Sequence, residues 1–82
     1  LGGEEFLLVL RDTDSRRAAE VCERLRSCVQ AHDWQAIAPG LAVTVSIGLT
    51  SAPPYDEQTL SLRADAALYR AKAAGRNCLI QV

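Results

Sequence analysis

The sequence predicts a small α/β domain, a sandwich in which helices pack on one side or the other of a β-sheet. Strand-like and helix-like segments alternate along the chain in the order strand, helix, strand, helix, strand, which is typical of α/β architecture. Each predicted helix is apolar along one stripe only, so it is expected to cover a sheet rather than to lie inside a core. The 82 residues correspond to at most one domain.

The first strand and the first helix are predicted by a turn, an apolar run and a periodic stripe. Gly2 and Gly3 are a turn signal, because glycine adopts positive φ without a steric penalty. The apolar run over residues 4–10 predicts a strand, and aspartates after it offer helix N-caps. Apolar side chains then recur at helical spacing over residues 15–31, which predicts an amphipathic helix. They are Ala18, Cys22, Leu25 and Val29.

The second half of the chain repeats the strand and helix signals. Residues 41–50 alternate between apolar and small polar side chains, which predicts a strand that ends at a pair of prolines. A helix is predicted over residues 59–74, with Gly75 as the residue that follows its C-terminus. Residues 78–82 predict a last strand. The apolar stripe of the second helix consists of Leu60, Ala64, Ala67, Leu68 and Ala71.

Composition excludes several classes of partner. Nine basic and ten acidic residues leave a net charge of −1, whereas a nucleic-acid-binding protein normally carries a basic excess. No apolar run approaches the ~20 residues of a membrane span, and no signal-peptide pattern is present, so no membrane contact is expected from this segment. The three cysteines lack metal-binding spacing and are odd in number, which favours free thiols in a reducing, cytoplasmic compartment.

The first candidate site is the stretch Gly2–Phe6, a glycine turn followed by two acids. Strand geometry would point Glu4 and Glu5 to opposite faces, so one of them can face a given site. Carboxylates are suitable ligands for Mg²⁺, which takes its remaining ligands from water and substrate phosphates. The alternative interpretation is a hairpin turn with two exposed acids.

The second candidate site lies at the end of the second predicted helix. Lys72 and Arg76 are four residues apart, so both cations can converge on one anion. Arginine offers a fork that matches phosphate oxygens, and lysine offers a mobile point charge. The alternative is that both cations complement the negative end of the helix dipole, and the two interpretations are compatible.

Together these segments resemble the GGDEF domain of diguanylate cyclases. Residues 2–6 match the GG(D/E)EF signature with Glu in the third position, and residues 43–48 are similar to a strand of the family. Residues 64–77 match its ADxALYxAKxxGRN ending. The resemblance implies that residues 1–82 are the C-terminal part of a single GGDEF domain. The family's first metal-binding aspartate and its guanine-binding residues belong to the N-terminal half and are not among these residues.

The resemblance implies that two GTP molecules are joined into cyclic di-GMP with release of two pyrophosphates. The reaction would take place in a homodimer of such domains, with Mg²⁺ (or Mn²⁺) present. Glu4 would serve as a metal ligand and as the catalytic base for the 3′-hydroxyl. Gly2 and Gly3 would let the nucleotide lie against the backbone, and Lys72 and Arg76 would hold its terminal phosphates.

Other positions take supporting roles under the same resemblance. Glu5 matches a supporting acid of the signature, and Phe6 is expected in the core. Arg24 or Arg26 is the candidate for a secondary product-binding arginine on the first helix. The 82 residues alone are expected to be inactive. The alternative function is a truncated or degenerate GGDEF module that binds nucleotide or cyclic di-GMP, or mediates dimerisation, without catalysis.

Overall fold

A computed structural model describes residues 5–82 and contains two long helices and a small parallel sheet. The elements in chain order are α1 (Ser15–Ala31), a 3₁₀ turn (Trp34–Ala36), β1 (Ile47–Leu49), α2 (Glu57–Ala73) and β2 (Leu79–Gln81). The α/β class predicted from the sequence is confirmed. Within this described part of the chain, no helix has the length and apolar character needed to cross a membrane.

The two strands place the helices on opposite faces of the sheet. Gly48 pairs with Ile80 at the centre of the parallel ladder. Gly48 lies against the backbone of α2, whereas its neighbours on β1 point to the other face because side chains alternate along a strand. On that other face the Gln81 amide donates a hydrogen bond of 3.0 Å to the carbonyl of Ser15, at the start of α1. Both helices contact both strands, and in residues 5–82 they do not contact each other.

Small side chains allow α2 to pack very closely on β1. Ala67 and Ala71 are completely buried, as the predicted apolar stripe requires. A Cβ atom added to Gly48 would collide with the backbone of Ala64 and Leu68. The core is therefore a contact between backbones, with alanine and glycine at its centre.

Side-chain caps account for where the helices begin. The backbone N–H of Arg17 donates to the Asp14 carboxylate at 2.8 Å, and the N–H of Thr59 donates to Asp56 at 2.8 Å. Each bond satisfies a backbone donor that has no partner within the helix. Because Asp56 is the cap, α2 begins at residue 57, two residues before the predicted start.

The C-terminus of α2 closes with a glycine in the left-handed region. Gly75 has a φ of 114°. Its N–H bonds to the carbonyl of Lys72 at 3.3 Å, and the N–H of Arg76 bonds to the carbonyl of Ala71 at 3.0 Å. This pair of bonds is a Schellman motif, which confirms the predicted role of Gly75.

Two strand predictions need correction. The described part of the predicted first strand, residues 5–10, has no strand structure, and Phe6 is 93% exposed instead of lying in the core. A strand requires hydrogen bonds from a neighbouring strand, and the described residues place none beside this segment. The predicted strand over residues 41–50 is also shorter, since only Ile47–Leu49 pairs with the three-residue β2.

Candidate functional site

An ion pair joins the signature segment to the end of α2. The Lys72 ammonium lies 3.1 Å from a carboxylate oxygen of Glu5, and the two side chains are 30% and 28% exposed. The partners are 67 positions apart in the sequence. Partial shielding from water strengthens such a pair relative to one on the open surface. The structure therefore brings together two residues that the sequence assigned to separate motifs.

The ion pair lies in an open groove on one side of α2. The groove has a volume of about 280 Å³ and is lined by Glu5, Asp65, Leu68, Tyr69 and Lys72. Asp65 precedes Lys72 by two helical turns, so both lie on one face of the helix. Two carboxylates and an ammonium group thus face the same groove. Asp65 was not among the predicted site residues, although its spacing of seven residues from Lys72 places both on one helix face.

Arg76 lies just beyond α2 in a tight turn. Arg76 and Asn77 have φ values of 64° and 49°, and Arg76 is exposed. Among the side chains of residues 5–82, the structure shows no acid paired with Arg76. Its guanidinium can therefore receive an anion from solution, as the predicted phosphate-binding role requires.

Asn77 connects this turn to two other parts of the fold. Its N–H donates to the hydroxyl of Ser46 at 3.1 Å, and its side-chain oxygen accepts from the Arg26 guanidinium at 2.8 Å. Neither Asn77 nor Ser46 was among the predicted site residues. The signal that was available is that asparagine tolerates the left-handed region better than most residues.

The two candidate product-binding arginines on α1 differ in their surroundings. The Arg26 side chain is 16% exposed, and its Nε lies 3.0 Å from the Glu23 carboxylate. That hydrogen bond lowers the pKa of Glu23 and raises the pKa of Arg26, so both remain charged. Arg24, in contrast, is exposed. Product binding by either residue stays a prediction, and Arg24 has the more accessible guanidinium.

The other predicted site residues, Gly2, Gly3 and Glu4, lie outside the described residues. Within residues 5–82, no three His, Cys, Asp or Glu side chains gather into a metal-binding group, so this part of the chain provides no all-protein metal cage. Mg²⁺ commonly uses only one or two carboxylates and takes its other ligands from phosphates and water. The carboxylate-rich signature segment fits that kind of donor set. The three cysteines are free thiols, as predicted.

Comparison with known proteins agrees with the motif analysis. The diguanylate cyclase GGDEF domain family matches residues 1–78. Diguanylate cyclase A of Treponema denticola is 40% identical over 78 residues, which cover 93% of this chain and 21% of that protein. Response regulator PleD of Caulobacter vibrioides is 37% identical over 84 aligned positions, covering 96% of this chain and 18% of that protein. Diguanylate cyclase DgcP of Pseudomonas aeruginosa is 38% identical over 79 residues, covering 95% of this chain and 12% of that protein.

The family match spans both motifs. It includes the glycine–glutamate signature at residues 2–6 and the helix end that carries Lys72 and Arg76. The chain spans between 12% and 21% of the length of these three relatives. On the extent of the match, the chain belongs to the GGDEF family of diguanylate cyclase domains.

Proposed function

We propose that these residues are the C-terminal part of a diguanylate cyclase domain that joins two GTP molecules into cyclic di-GMP and releases two pyrophosphates. The observation that carries the proposal is the ion pair between Lys72 and Glu5, because it sets the phosphate-binding candidate beside the catalytic signature. Membership of the GGDEF family supports the reaction class. Two such domains would face each other as a homodimer in the cytoplasm, each with one GTP.

The cations at the end of α2 would bind the terminal phosphates of GTP. A triphosphate can replace or share the Glu5 carboxylate at the Lys72 ammonium, since both are oxyanions. The exposed guanidinium of Arg76 offers a second, forked set of donors. Charge leaving with pyrophosphate would be stabilised by these preorganised donors.

The signature residues would provide the other half of the chemistry. Gly2 and Gly3 would allow the nucleotide to approach the backbone, and Glu4 would accept the proton of the attacking 3′-hydroxyl. Glu4 is also the proposed ligand of Mg²⁺ (or Mn²⁺), and Glu5 would support it by holding Lys72 in place. A bound divalent cation would supply polarisation of phosphoryl oxygens.

Nucleotide binding without turnover is the second candidate for the 82 residues on their own. It is favoured by the Arg76 guanidinium, which is exposed and forms no ion pair with an acid among residues 5–82. Under this alternative, Lys72 and Arg76 would still recognise phosphates, and no cyclic product would form.

A product assay separates these functions. The isolated chain, incubated with GTP and Mg²⁺, is expected to form no cyclic di-GMP, because the first metal-binding aspartate and the guanine-binding residues that the family resemblance implies are not among these 82 residues. A longer protein that carries this chain within a whole GGDEF domain is expected to form the product. Chromatography against a no-protein blank measures both. Product from the isolated chain would contradict the first expectation, and an inactive longer protein would contradict the cyclase proposal.

A further inference from the structure

The turn that carries Arg76 has a backbone conformation that needs support. Arg76 and Asn77 are both in the left-handed region, with φ values of 64° and 49°. Left-handed conformations are unfavourable for residues other than glycine and normally occur singly. Two in succession persist only where surrounding contacts hold them. The position of Arg76 therefore depends on the contacts that its neighbour Asn77 makes.

Those contacts come from two different elements. The Ser46 hydroxyl, just before β1, accepts the N–H of Asn77 at 3.1 Å. The Arg26 guanidinium, on α1, donates to the side-chain oxygen of Asn77 at 2.8 Å across 51 positions of sequence. Asn77 is thus attached both to the sheet and to the opposite helix layer.

Arg26 is itself held rigidly on α1. Its guanidinium also donates to the carboxylate of Glu23 and to the side-chain oxygen of Gln30, the latter at 2.9 Å. With only 16% of its side chain exposed, Arg26 has little freedom to leave this arrangement. The bonds to Glu23 and Gln30 therefore hold the guanidinium in the position from which it donates to Asn77.

We infer that Arg26 is a positioning residue for Arg76: through Asn77, it holds the turn that aims the Arg76 guanidinium at the terminal phosphates of the nucleotide. This inference rests on the proposed phosphate-binding role of Arg76. It assigns to Arg26 a function different from product binding, because the guanidinium already donates to Glu23, Gln30 and Asn77.

The first experiment measures the turn directly, by hydrogen exchange of the Asn77 amide in the chain. Arg26→Leu removes the guanidinium that donates to Asn77. It is expected to speed exchange of this amide by about tenfold, the effect of losing a hydrogen bond to a charged group. Arg16→Ala is the matched control, since Arg16 lies on α1 with its side chain 90% exposed and pairs with Glu20 one helical turn away. Unchanged exchange in Arg26→Leu would overturn the inference.

The second experiment tests action through Arg76, using steady-state kinetics of the longer cyclase that carries these residues. Arg26→Leu is expected to raise the KM for GTP by about tenfold with a smaller change in kcat, whereas simple loss of folded enzyme would lower kcat alone. Arg26→Lys keeps a positively charged donor, so its KM for GTP should lie between those of the wild type and Arg26→Leu. In the Arg76→Ala background, Arg26→Leu should cause no further rise in KM.

The outcomes distinguish the two proposals. An equal effect of Arg26→Leu in both backgrounds would show that Arg26 does not act through Arg76, and would leave the role of Arg76 intact. An unchanged KM in Arg76→Ala alone would instead refute the phosphate-binding role of Arg76. In that case the hydrogen-exchange result still reports whether Arg26 holds the turn.

Discussion

In the proposed reaction, two anions would compete for the single positive charge of Lys72. In the structure its partner is Glu5, at 3.1 Å, and in the proposed reaction its partner is a phosphate of GTP. A phosphate bears its charge in the ground state as well as in the transition state. Loss of Lys72 should therefore weaken substrate binding more than it slows the chemical step.

The test requires a longer protein that carries these residues within a whole GGDEF domain. Lys72→Ala is expected to raise the KM for GTP by about 10- to 100-fold, the usual range for a hydrogen bond to a charged group. The fall in kcat should be smaller, which is the pattern of lost uniform binding. Arg70→Ala is the control, because Arg70 lies in the same last turn of α2 and is exposed. An unchanged KM in Lys72→Ala would contradict the assignment.

Glu4 should give the opposite kinetic pattern. Glu4→Gln preserves shape and removes the charge, so a general base would be lost and kcat should fall by about 10²–10⁴-fold. If Glu4 were only a turn residue with an exposed acid, stability would change by less than about 0.5 kcal/mol and the rate would be unaffected. Steady-state kinetics decide between them, and an unchanged kcat would end the assignment of Glu4 to the chemistry.

At the scale of elements, the contact between β1 and α2 leaves no room for a side chain at Gly48. Gly48→Ala should destabilise the fold by at least about 3 kcal/mol, the upper end of the usual penalty for overpacking, because the atoms it meets are backbone atoms of Ala64 and Leu68. Gly75→Ala is the comparison, since its Cβ would meet no atom of residues 5–82 within 4 Å. It should cost only the left-handed penalty of about 1–2 kcal/mol. Urea denaturation of both variants measures the order, and a smaller effect at Gly48 would contradict the described packing.

The N-cap of α2 predicts a dependence of stability on pH. The backbone N–H of Thr59 holds the pKa of Asp56 below its usual value of 3.8. A carboxylate whose pKa is lowered by folding stabilises the protein fully when the pH is above the pKa of the unfolded state. This contribution is lost as the pH falls through the lower pKa of the native state. The urea midpoint of the wild-type chain should therefore exceed that of Asp56→Asn at pH 7, and the gap should close below about pH 4.

Asp33→Asn is the control for this measurement. Asp33 precedes the 3₁₀ turn and makes no side-chain capping bond, so its replacement should change the urea midpoint little. A gap between the wild-type chain and Asp56→Asn that stays constant from pH 7 to pH 3 would show that the charge of Asp56 is not what stabilises α2.

At the scale of the whole molecule, an apolar segment lies uncovered beside the signature. Phe6, Leu7, Leu8 and Val9 are all exposed, Phe6 by 93%. Exposed apolar segments with unpaired backbone groups promote association. The isolated chain is therefore expected to self-associate in sedimentation velocity.

Variants on the segment test that expectation. Phe6→Ser with Leu8→Lys should shift the chain towards monomer, whereas Leu62→Ser should not, although Leu62 on α2 is 63% exposed as well. A stable monomer of the unmodified chain at the concentrations used for NMR would contradict the expectation.

The sequence predicted the helices better than the sheet, for a physical reason. The predicted bounds of α1, residues 15–31, agree with the structure, because the apolar stripe with Ala18 and Cys22 and the aspartate cap are local signals. Strand formation depends on partners distant in the chain, so the run over residues 5–10 could not be judged from its own composition. The same applies to the candidate site: both cations were predicted from motifs, and their role stays a prediction, whereas the bond from Arg26 to Asn77 could not be foreseen because it spans 51 positions.

Because β1 and β2 are parallel, the chain has to cross from the end of one strand to the start of the other, and α2 forms this crossover connection. Parallel strands cannot be joined by a tight turn, and here the connection between them is the helix itself. The sheet and its covering helix must therefore form and melt as one cooperative folding unit. Lys72 belongs to that unit, whereas Glu5 lies on a segment without strand pairing. The ion pair therefore links two residues of different local stability. Lys72 can be displaced only if the β1–α2–β2 unit unfolds, whereas the segment that carries Glu5 can rearrange while that unit stays folded.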